Sequence, residues 1–240
     1  MERIAVLTDI HGNLPVLEAA LARIDELSVD AIRCGGDLVG YGPWPNEVCR
    51  LIEQRGIPTT YGNYDYAIGR DLEDCGCAYR DPHDRELGKR SIDWTLAHTD
   101  ERSKALMREL PFDLRLELAG RRVRLVHGSP RKVNEYLFED KPARTFERIA
   151  AGAECDVLVF GHTHQPWIAS YGGVLFVNCG SVGKPKDGDP RAAFALLEAE
   201  SGGGVRASIE RVAYDAPAVA EQVAAAGLPG EYAEKLVIAA

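Results

Sequence analysis

Short apolar runs alternate with amphipathic runs in the first part of the chain, as in strands followed by helices. Residues 3 to 8 form a predicted buried strand. Leu14–Leu27 is a predicted helix with one apolar stripe, and Asn13 is its expected cap. The next predicted elements are a strand at Ala31–Cys34, a helix at 45–55 and a strand at 58–61. This alternation predicts a parallel sheet with right-handed crossovers.

The pattern changes between residues 66 and 110, where Asp, Glu and Arg are dense. Two helices are predicted there, at 85–98 and 100–110. We interpret residues 66–110 as a helical insertion over one edge of the strand ends. A lid and a dimer surface are both compatible with this segment, and the sequence does not decide between them.

Strands return after the insertion, where two hairpins are predicted from alternating polar and apolar residues. The elements predicted in this second half are the hairpin of Asp113–Leu118 with Arg121–Val126, a helix at 142–151, a strand at Val157–Phe160, two strands flanking Tyr171-Gly172-Gly173, the hairpin of Ala192–Ala199 with 205–213, and a helical region at 216–238. No repeat or clear linker divides the chain, so we predict a single α/β domain over residues 1–240.

Composition limits the classes of partner. The apolar fraction of 45% and charged fraction of 27% are typical of soluble globular proteins. A net charge of −9 argues against an extended nucleic-acid surface, which requires Lys and Arg. No apolar run approaches the roughly 20 residues that cross a bilayer, and no signal peptide precedes the first strand. We therefore expect a cytoplasmic protein with no membrane contact.

The six cysteines do not have the spacing of a disulfide framework, and free thiols are expected. The alternative is a zinc knot formed by Cys75 and Cys77 with His83, although that spacing is not a standard one. Surface or packing roles are expected for His83 and His98, because neither has a partner ligand nearby in the sequence.

Polar side chains follow most of the predicted strands, and they supply the candidate chemistry. These residues are Asp9, His11, Asp37, Asn63, His127, His162 and His164. Each alone has a structural explanation, such as a helix cap for Asp9. Together they would be costly to bury unless they were paired or coordinated. Because sheets of this class bind ligands at the carboxyl ends of their strands, we predict that the seven meet at one sheet edge around metal ions.

Two divalent metal ions fit this set of side chains. One ion would be held by Asp9, His11 and His164, and the other by Asn63, His127 and His162, with Asp37 as the bridge. Mixed nitrogen and oxygen ligands suit Mn, Fe, Zn, Ni or Co better than Mg or Ca. Two ions about 3.5–4 Å apart form the clamp used for in-line phosphoryl displacement.

The same residues carry a family resemblance. The stretches Asp9-x-His11, Gly36-Asp37, Gly62-Asn63-Tyr64-Asp65, His127-Gly128 and Gly161-His162-Thr163-His164 resemble, in order, the five motifs of the calcineurin-like metallophosphoesterase superfamily. The resemblance covers residues 4 to about 198 and favours the small bacterial and archaeal phosphodiesterase branch. It implies a four-layer α/β/β/α sandwich and the metal assignment above. It also implies hydrolysis of a phosphate ester by in-line attack of a metal-bridging hydroxide.

The resemblance implies catalytic roles for Asp37, Asn63, Tyr64 and His127. Many relatives have His where this chain has Tyr64, and members of the small branch without that His are often phosphodiesterases. We therefore expect preference for phosphate diesters. Tyr64 could donate a hydrogen bond to a phosphoryl oxygen or simply pack over the site. The alternatives are a phosphomonoesterase acting on nucleotides or phosphoproteins, and a non-catalytic interaction module, as in a retromer subunit.

Phosphoprotein phosphatases and diadenosine tetraphosphatases carry an Asp-Arg pair after the Gly-Asp motif and an Arg before Gly-Asn-His. Neither has a counterpart in this chain. Gly40-Tyr41-Gly42 and Tyr61 occupy the corresponding positions. Positive charge could come instead from Arg70, Arg131, Lys132 or Lys184, although a solvated surface position is expected for all four. The expected partner is a small phosphate ester, with nucleotides among the candidates. A homo-oligomer is compatible with the sequence but is not indicated by it.

Overall fold

The computed structural model describes residues 2–79 and 81–240. The strands within these ranges are β1 (Arg3–Leu7), β2 (Ala31–Cys34), β3 (Asp113–Leu118), β4 (Arg121–Val126), β5 (Val157–Phe160), β6 (Trp167–Tyr171), β7 (Val174–Asn178), β8 (Ala192–Ala199) and β9 (Val205–Val212). The helices are α1 (Leu14–Leu27), α2 (Pro45–Gln54), α3 (Asn63–Gly69), α4 (Pro82–His98), α5 (Glu101–Glu109), α6 (Ala143–Ala153), α7 (Ala216–Ala225) and α8 (Gly230–Ile238).

The strands form two sheets. One sheet has the order β2-β1-β8-β9 and the other the order β3-β4-β5-β7-β6. Strand β1 is parallel to β2 but antiparallel to β8, and β5 is parallel to both β4 and β7. The parallel pairing predicted from the early alternation is present between β1 and β2, but this sheet is mixed, because β8 returns from late in the chain to pair antiparallel beside β1. The two-sheet α/β architecture implied by the family resemblance is confirmed.

Three apolar clusters lie between the layers. Each strand can contribute to two of them, because successive side chains in a strand point to opposite faces of the sheet. In β1, Ile4 and Val6 face the space between the sheets, whereas Ala5 and Leu7 belong to the cluster beneath α1 and α2. The central strand β5 shares its residues in the same way between the inter-sheet cluster and the cluster under α6. The result is a sandwich with helices outside two facing sheets.

Residues 58–61 do not form the predicted strand. Only a single bridge links Thr59 to Cys34. Pro58 has no N–H to donate to a ladder, and the contact consists of its carbonyl, which accepts from Cys34, and the Thr60 N–H, which donates back. Helix α3 then begins at Asn63, which leaves no length for a strand.

Two other predicted details differ. Asn13 precedes α1 but does not cap it, because its side-chain amide donates to the Gly183 carbonyl at 3.0 Å. Helix α4 begins at Pro82 rather than at residue 85, and Asp81 caps it by accepting from the Asp84 N–H at 2.9 Å. The helical region predicted at 216–238 contains α7 and α8, with Pro229 directly before α8.

The helical insertion packs against the C-terminal helices. A fourth apolar cluster joins Leu87 of α4 to Val219 and Val223 of α7 and to Tyr232 and Leu236 of α8. No pattern in the sequence indicated this contact between segments more than a hundred residues apart.

The contacts of the cysteines, His83 and His98 test the roles predicted for them. All six cysteines are free, and the sulfurs of Cys75 and Cys77 are 3.0 Å apart. His83 lies instead against Glu231 at 3.7 Å, and within residues 2–79 and 81–240 no third ligand completes a zinc site at the sulfurs. His98 stacks on the Trp94 ring at 3.9 Å. No helix in the described ranges combines the length and the apolar character needed to span a membrane.

The core beneath α6 gives a test of the outer layer. Phe146 is fully buried against Trp167, Tyr171 and Phe176. We expect Phe146→Ala to lower the free energy of unfolding by about 3–5 kcal/mol, because it removes buried area and leaves a cavity. Arg148→Ala, at an exposed position of the same helix, should change it by less than about 0.5 kcal/mol. Urea titration measures both, and equal losses would contradict the layer assignment.

Candidate metal centre

The seven predicted ligands converge on one buried cluster. Six of them form two groups whose ligand atoms lie within 4.8 Å of one another, and these groups are Asp9 with His11 and His164, and Asp37 with His127 and His162. Asn63 joins the second group, since its Oδ1 is 3.2 Å from Nε2 of His127. All seven side chains are buried.

Both sheets contribute to the cluster. Asp9, His11 and Asp37 follow strands β1 and β2 of the first sheet, whereas His127, His162 and His164 follow β4 and β5 of the second. The expectation that they meet at the edge of one sheet is therefore wrong. The two sets are joined directly, because the His162 N–H donates to Oδ2 of Asp9 at 3.0 Å.

Asp37 lies between the two groups. Its Oδ1 accepts a hydrogen bond from the Tyr64 N–H at 2.9 Å, which fixes the carboxylate plane. Its Oδ2 is 3.4 Å from Nε2 of His127 and 3.7 Å from Nε2 of His11. One oxygen is thus within reach of both groups.

Backbone carbonyls determine which nitrogen of three imidazoles carries the proton. A carbonyl can only accept, so an Nδ1 beside one must donate, and the lone pair is left on Nε2. The pairs are His11 Nδ1 with Val39 O at 3.1 Å, His127 Nδ1 with Gly35 O at 2.9 Å, and His164 Nδ1 with Lys184 O at 2.6 Å. Histidines that bind metals are typically oriented by such contacts.

These tautomers show that the cluster fits cations. Nε2 of His11 and Nε2 of His164 lie 3.1 Å apart, and both carry lone pairs, so the contact is not a hydrogen bond. Oδ1 of Asp9 is buried without a hydrogen-bond partner among the described residues. Donor atoms that share a cation at about 2.1 Å are separated by about 3.0–3.4 Å. The observed spacing is the spacing of a coordination shell.

The electrostatics of the cluster support the same conclusion. Burial lowers the pKa of His11 and His162 well below the usual range and that of His164 to about 4. These three imidazoles are therefore neutral at neutral pH and can donate electron pairs to a metal ion. Burial raises the pKa of Asp9, whereas positive charge on His164, His127 or His11 lowers it below its ordinary value. Burial, Asp65 and Asp9 raise the pKa of Asp37 well above its ordinary value. An ionised Asp37 therefore requires nearby positive charge.

Asp65 positions Asp37, a role that the sequence did not reveal. Its carboxylate accepts from the N–H groups of Asp37 at 2.7 Å, Leu38 at 2.8 Å and Gly62 at 2.9 Å. It thereby joins the loop after β2 to the start of α3. The available signal was its place in the first turn of a helix, two residues after a candidate ligand, where a carboxylate can accept from backbone N–H groups.

Five of the seven predicted ligands have left-handed backbone conformations. The φ angles are 53° for Asp9, 52° for His11, 53° for Asp37, 65° for His162 and 60° for His164. Residues other than glycine rarely adopt positive φ, and such strain concentrates at functional sites. The tight loops direct several side chains from one short segment into the same space.

Two glycines allow carboxylates to approach the backbone closely. A Cβ at Gly62 would lie 2.0 Å from Oδ1 of Asp37, and one at Gly161 would lie 2.2 Å from Oδ2 of Asp9. These distances are far below van der Waals contact. A glycine is therefore required before Asn63 and before His162.

Asn63 is oriented by a cysteine. Its side-chain amide donates to Sγ of Cys77 at 3.3 Å, so Oδ1 is the atom that faces His127. A metal cation would bind this amide oxygen rather than the amide nitrogen.

Tyr64 packs behind the cluster. Its ring contacts the rings of His11 at 5.6 Å and Tyr41 at 4.9 Å. Its hydroxyl is buried and has no hydrogen-bond partner in the described part of the chain. Burial raises the pKa of Tyr64 well above its ordinary value, so the phenol stays protonated. Its predicted hydrogen bond to a substrate remains a prediction.

A cavity of about 520 Å³ adjoins the cluster. Its wall includes Tyr41, whose ring is 4.8 Å from that of His11, and Tyr136, whose ring is 4.1 Å from that of His162. Residues from the insertion and from α8 complete the wall, and among them are Tyr79, Leu87, Tyr232 and Lys235. The sequence did not indicate any of these four for the site.

Lys184 lines this cavity and is only 4% exposed, so its expected surface position is wrong. Burial, with Lys186 and Lys235 nearby, lowers the pKa of Lys184 well below its ordinary value. The other three candidates do not line the cavity. Arg131 pairs with Glu135, Arg70 lies over the Tyr66 ring at 4.1 Å, and Lys132 is exposed.

The close contact between the Gly161 backbone and the Asp9 carboxylate provides a test of the site. We expect Gly161→Ala to displace the Asp9 carboxylate, weaken metal binding by at least about tenfold and lower the melting temperature. Gly152→Ala, in α6 with open space around it, should keep metal binding and leave stability unchanged or raise it by up to about 1 kcal/mol. Calorimetric metal titration and thermal unfolding measure these effects. Normal metal binding by Gly161→Ala would rule out Asp9 as a ligand.

Curated relatives match nearly the whole chain. An uncharacterised protein of Methanocaldococcus jannaschii is 29% identical, and the match covers 98% of this chain and 97% of the relative. The phosphodiesterase YfcE of Escherichia coli is 26% identical over 82% of this chain and 88% of its own length.

Solved structures and a family model agree with the geometry. A metallophosphoesterase from Sphaerobacter thermophilus superposes with a TM-score of 0.80 at 28% identity, covering 100% of this chain and 99% of that one. A hypothetical protein from Pyrococcus horikoshii superposes with a TM-score of 0.86 at 26% identity, covering 98% of each chain. The family model described as the calcineurin-like phosphoesterase superfamily domain matches residues 2–202. The chain therefore belongs to the calcineurin-like phosphoesterase superfamily, whose enzymes hydrolyse phosphate esters with the help of divalent metal ions.

Proposed function

We propose that the protein is a dinuclear metal-dependent phosphodiesterase. The observation that supports this most strongly is the pair of facing lone pairs on His11 and His164, 3.1 Å apart, beside a carboxylate oxygen of Asp37 that reaches both donor groups. Neutral nitrogen donors held this close are unfavourable unless a cation lies between them. Such a cluster is suited to phosphoester hydrolysis.

Seven residues are assigned as ligands in this proposal. Asp9, His11 and His164 would hold one ion, Asn63, His127 and His162 would hold the other, and Asp37 would contribute to both. The mixture of imidazole nitrogen with carboxylate and amide oxygen favours Mn, Fe, Zn, Ni or Co. The proposal gives Asp65 a positioning role, because it holds the backbone of Asp37.

The chain's own groups orient the reaction. Two divalent ions, when bound, would lower the pKa of a shared water and neutralise charge on the phosphoryl oxygens. The Gly35, Val39 and Lys184 carbonyls keep the three imidazoles deprotonated at Nε2 and fixed in direction. The buried cluster excludes most water, which strengthens each of these interactions. The adjoining cavity accommodates the organic part of the substrate.

Three observations support a diester rather than a monoester. The chain has Tyr64 where many relatives have an imidazole, and a phenol of raised pKa is a poor acid for a leaving alkoxide at neutral pH. The arginine clamps that would neutralise a monoester dianion have no counterpart at Gly40-Tyr41-Gly42 or at Tyr61. YfcE, which is 26% identical, bears the name phosphodiesterase.

Substitution of the bridging carboxylate tests the dinuclear centre. We expect Asp37→Asn to reduce bound metal from about two ions per chain to fewer than one. We also expect it to lower kcat/KM on an aryl phosphodiester by at least about a hundredfold. In the metal-free state the variant should be at least as stable as the wild type, because the buried carboxylate is repelled by Asp65 and Asp9. Elemental analysis, phosphodiester kinetics and urea titration check the three effects.

Asp93→Asn is the matched control, since Asp93 is half exposed and pairs with Lys89 on the surface. It should retain metal, activity and stability. If Asp37→Asn kept both ions and normal turnover, the proposed mechanism would be wrong.

Esters of the same aryl alcohol test the substrate preference. We expect bis(4-nitrophenyl) phosphate to be hydrolysed with a higher kcat/KM than 4-nitrophenyl phosphate. Tyr64→His should raise the monoester value by at least about tenfold, because an imidazole can donate a proton at neutral pH. Tyr64→Phe removes the hydroxyl without adding an imidazole and should leave the monoester value at or below that of the wild type.

A wild-type monoester rate far above the diester rate would favour a phosphomonoesterase instead. An unchanged monoester rate in Tyr64→His would count against a missing acid. Absence of hydrolysis with each of Mn, Ni, Co and Zn would favour a non-catalytic interaction module.

A further inference from the structure

The cavity beside the cluster contains lysine side chains that the proposed metal centre does not use. Its wall includes the three lysines Lys184, Lys186 and Lys235. The chain as a whole has a net charge of −9, so a concentration of lysines in one concave site is unusual for it. The surroundings of each ammonium group show which of them are available to a ligand.

Lys184 and Lys186 are the available ones. Lys235 lies 3.7 Å from Oδ1 of Asp84, so its charge is partly balanced by the protein. Neither Lys184 nor Lys186 forms an ion pair with any carboxylate in residues 2–79 and 81–240. Lysine is rarely buried without a partner, because removing an ammonium group from water is costly.

Lys184 is the more informative of the two, since it is 96% buried yet lines the cavity. Its Nζ lies 4.9 Å from the centre of the Tyr41 ring and 5.7 Å from that of the Tyr232 ring. These cation–π contacts hold the ammonium group in place and offset only part of its desolvation. An anion in the cavity would supply the missing partner.

The backbone shows that this ammonium group adjoins the cluster and is not part of it. The Lys184 carbonyl accepts from Nδ1 of His164, the edge of that imidazole opposite to the Nε2 that faces His11. The Tyr41 ring contacts both the His11 ring and the Lys184 ammonium group. An anion on Lys184 would therefore lie beside the reacting phosphoryl group, within the same bound molecule.

We propose that Lys184 and Lys186 form a second anion subsite, so that the preferred substrate is a phosphate ester carrying another phosphate group. This inference rests on the proposed phosphodiesterase function for the identity of the reacting group. The volume of about 520 Å³ lies within the usual range for small-molecule pockets. Tyr136 and Phe138, with ring planes only 6° apart, provide an aromatic wall for the organic part. A nucleotide with two phosphates has this combination of groups.

Two chromogenic substrates that differ only in the second phosphate provide the test. These are thymidine 5′-(4-nitrophenyl phosphate) and its 3′-phosphorylated derivative, which share the same diester, ring and leaving group. For the wild type with its metals we expect a KM at least about tenfold lower for the 3′-phosphorylated substrate, since one charge-assisted hydrogen bond contributes at least that factor.

Lysine substitutions connect this difference to the subsite. Lys184→Met and Lys186→Met should each raise the KM of the 3′-phosphorylated substrate by at least about tenfold and change the KM of the other by less than about threefold. Lys89→Met removes one positive charge from the surface pair with Asp93 and should change neither value.

A binding measurement separates the subsite from catalysis. Thymidine 3′,5′-bisphosphate is titrated calorimetrically into protein from which metals have been removed with EDTA. It should bind the wild type and Lys89→Met equally, and Lys184→Met and Lys186→Met at least about tenfold more weakly.

The outcomes are distinct. Equal KM changes for both substrates in the lysine variants would mean that these lysines contact the reacting phosphoryl group, and the proposal would be overturned. Bisphosphate binding that neither lysine substitution weakens would overturn it as well. If the loaded wild type hydrolysed neither substrate, the phosphodiesterase proposal would fail, and the calorimetric comparison would still decide the anion subsite.

Discussion

The structure depends on a buried cluster of electron-pair donors, and the protein's own hydrogen-bond donors do not satisfy all of them. Imidazole nitrogens and carboxylate oxygens from two sheets face one another in a buried space, with His11 and His164 only 3.1 Å apart. Hydrogen bonds to backbone carbonyls direct the protons away from that space. Apolar layers on both sides of each sheet supply the stability that holds these groups together without water.

Backbone geometry holds the candidate metal-binding side chains in position. Asp65 ties the loop after β2 to the start of α3, and the contact from the His162 N–H to Asp9 ties one sheet to the other. Left-handed residues and close-approach glycines let short loops present several side chains at once. Strain of this kind costs about 1–3 kcal/mol per residue and persists only where the surrounding structure enforces it. Precise donor placement therefore depends on the whole sandwich.

Local pattern predicted a large part of this arrangement. Strands β1 to β9 and helix α1 were found from periodicity, and the donor set was found because polar residues beside glycine follow apolar strands. Periodicity describes one segment at a time, so it could not show that β8 pairs beside β1 or that α4 packs on α7 and α8. Lys184 was misassigned for the same reason, since a lysine in isolation is expected in solvent.

The cavity wall has a different origin from the donor loops. The loops extend from the two sheets, whereas much of the wall comes from the segment containing α4 and from α8. The family model ends at residue 202, before α7 and α8 begin. Part of the cavity wall is thus encoded outside the segment that carries the donor loops. Exchanging α8 between homologous proteins is therefore a route to reshaping one side of the cavity while the loops that carry the seven candidate ligands keep their sequence.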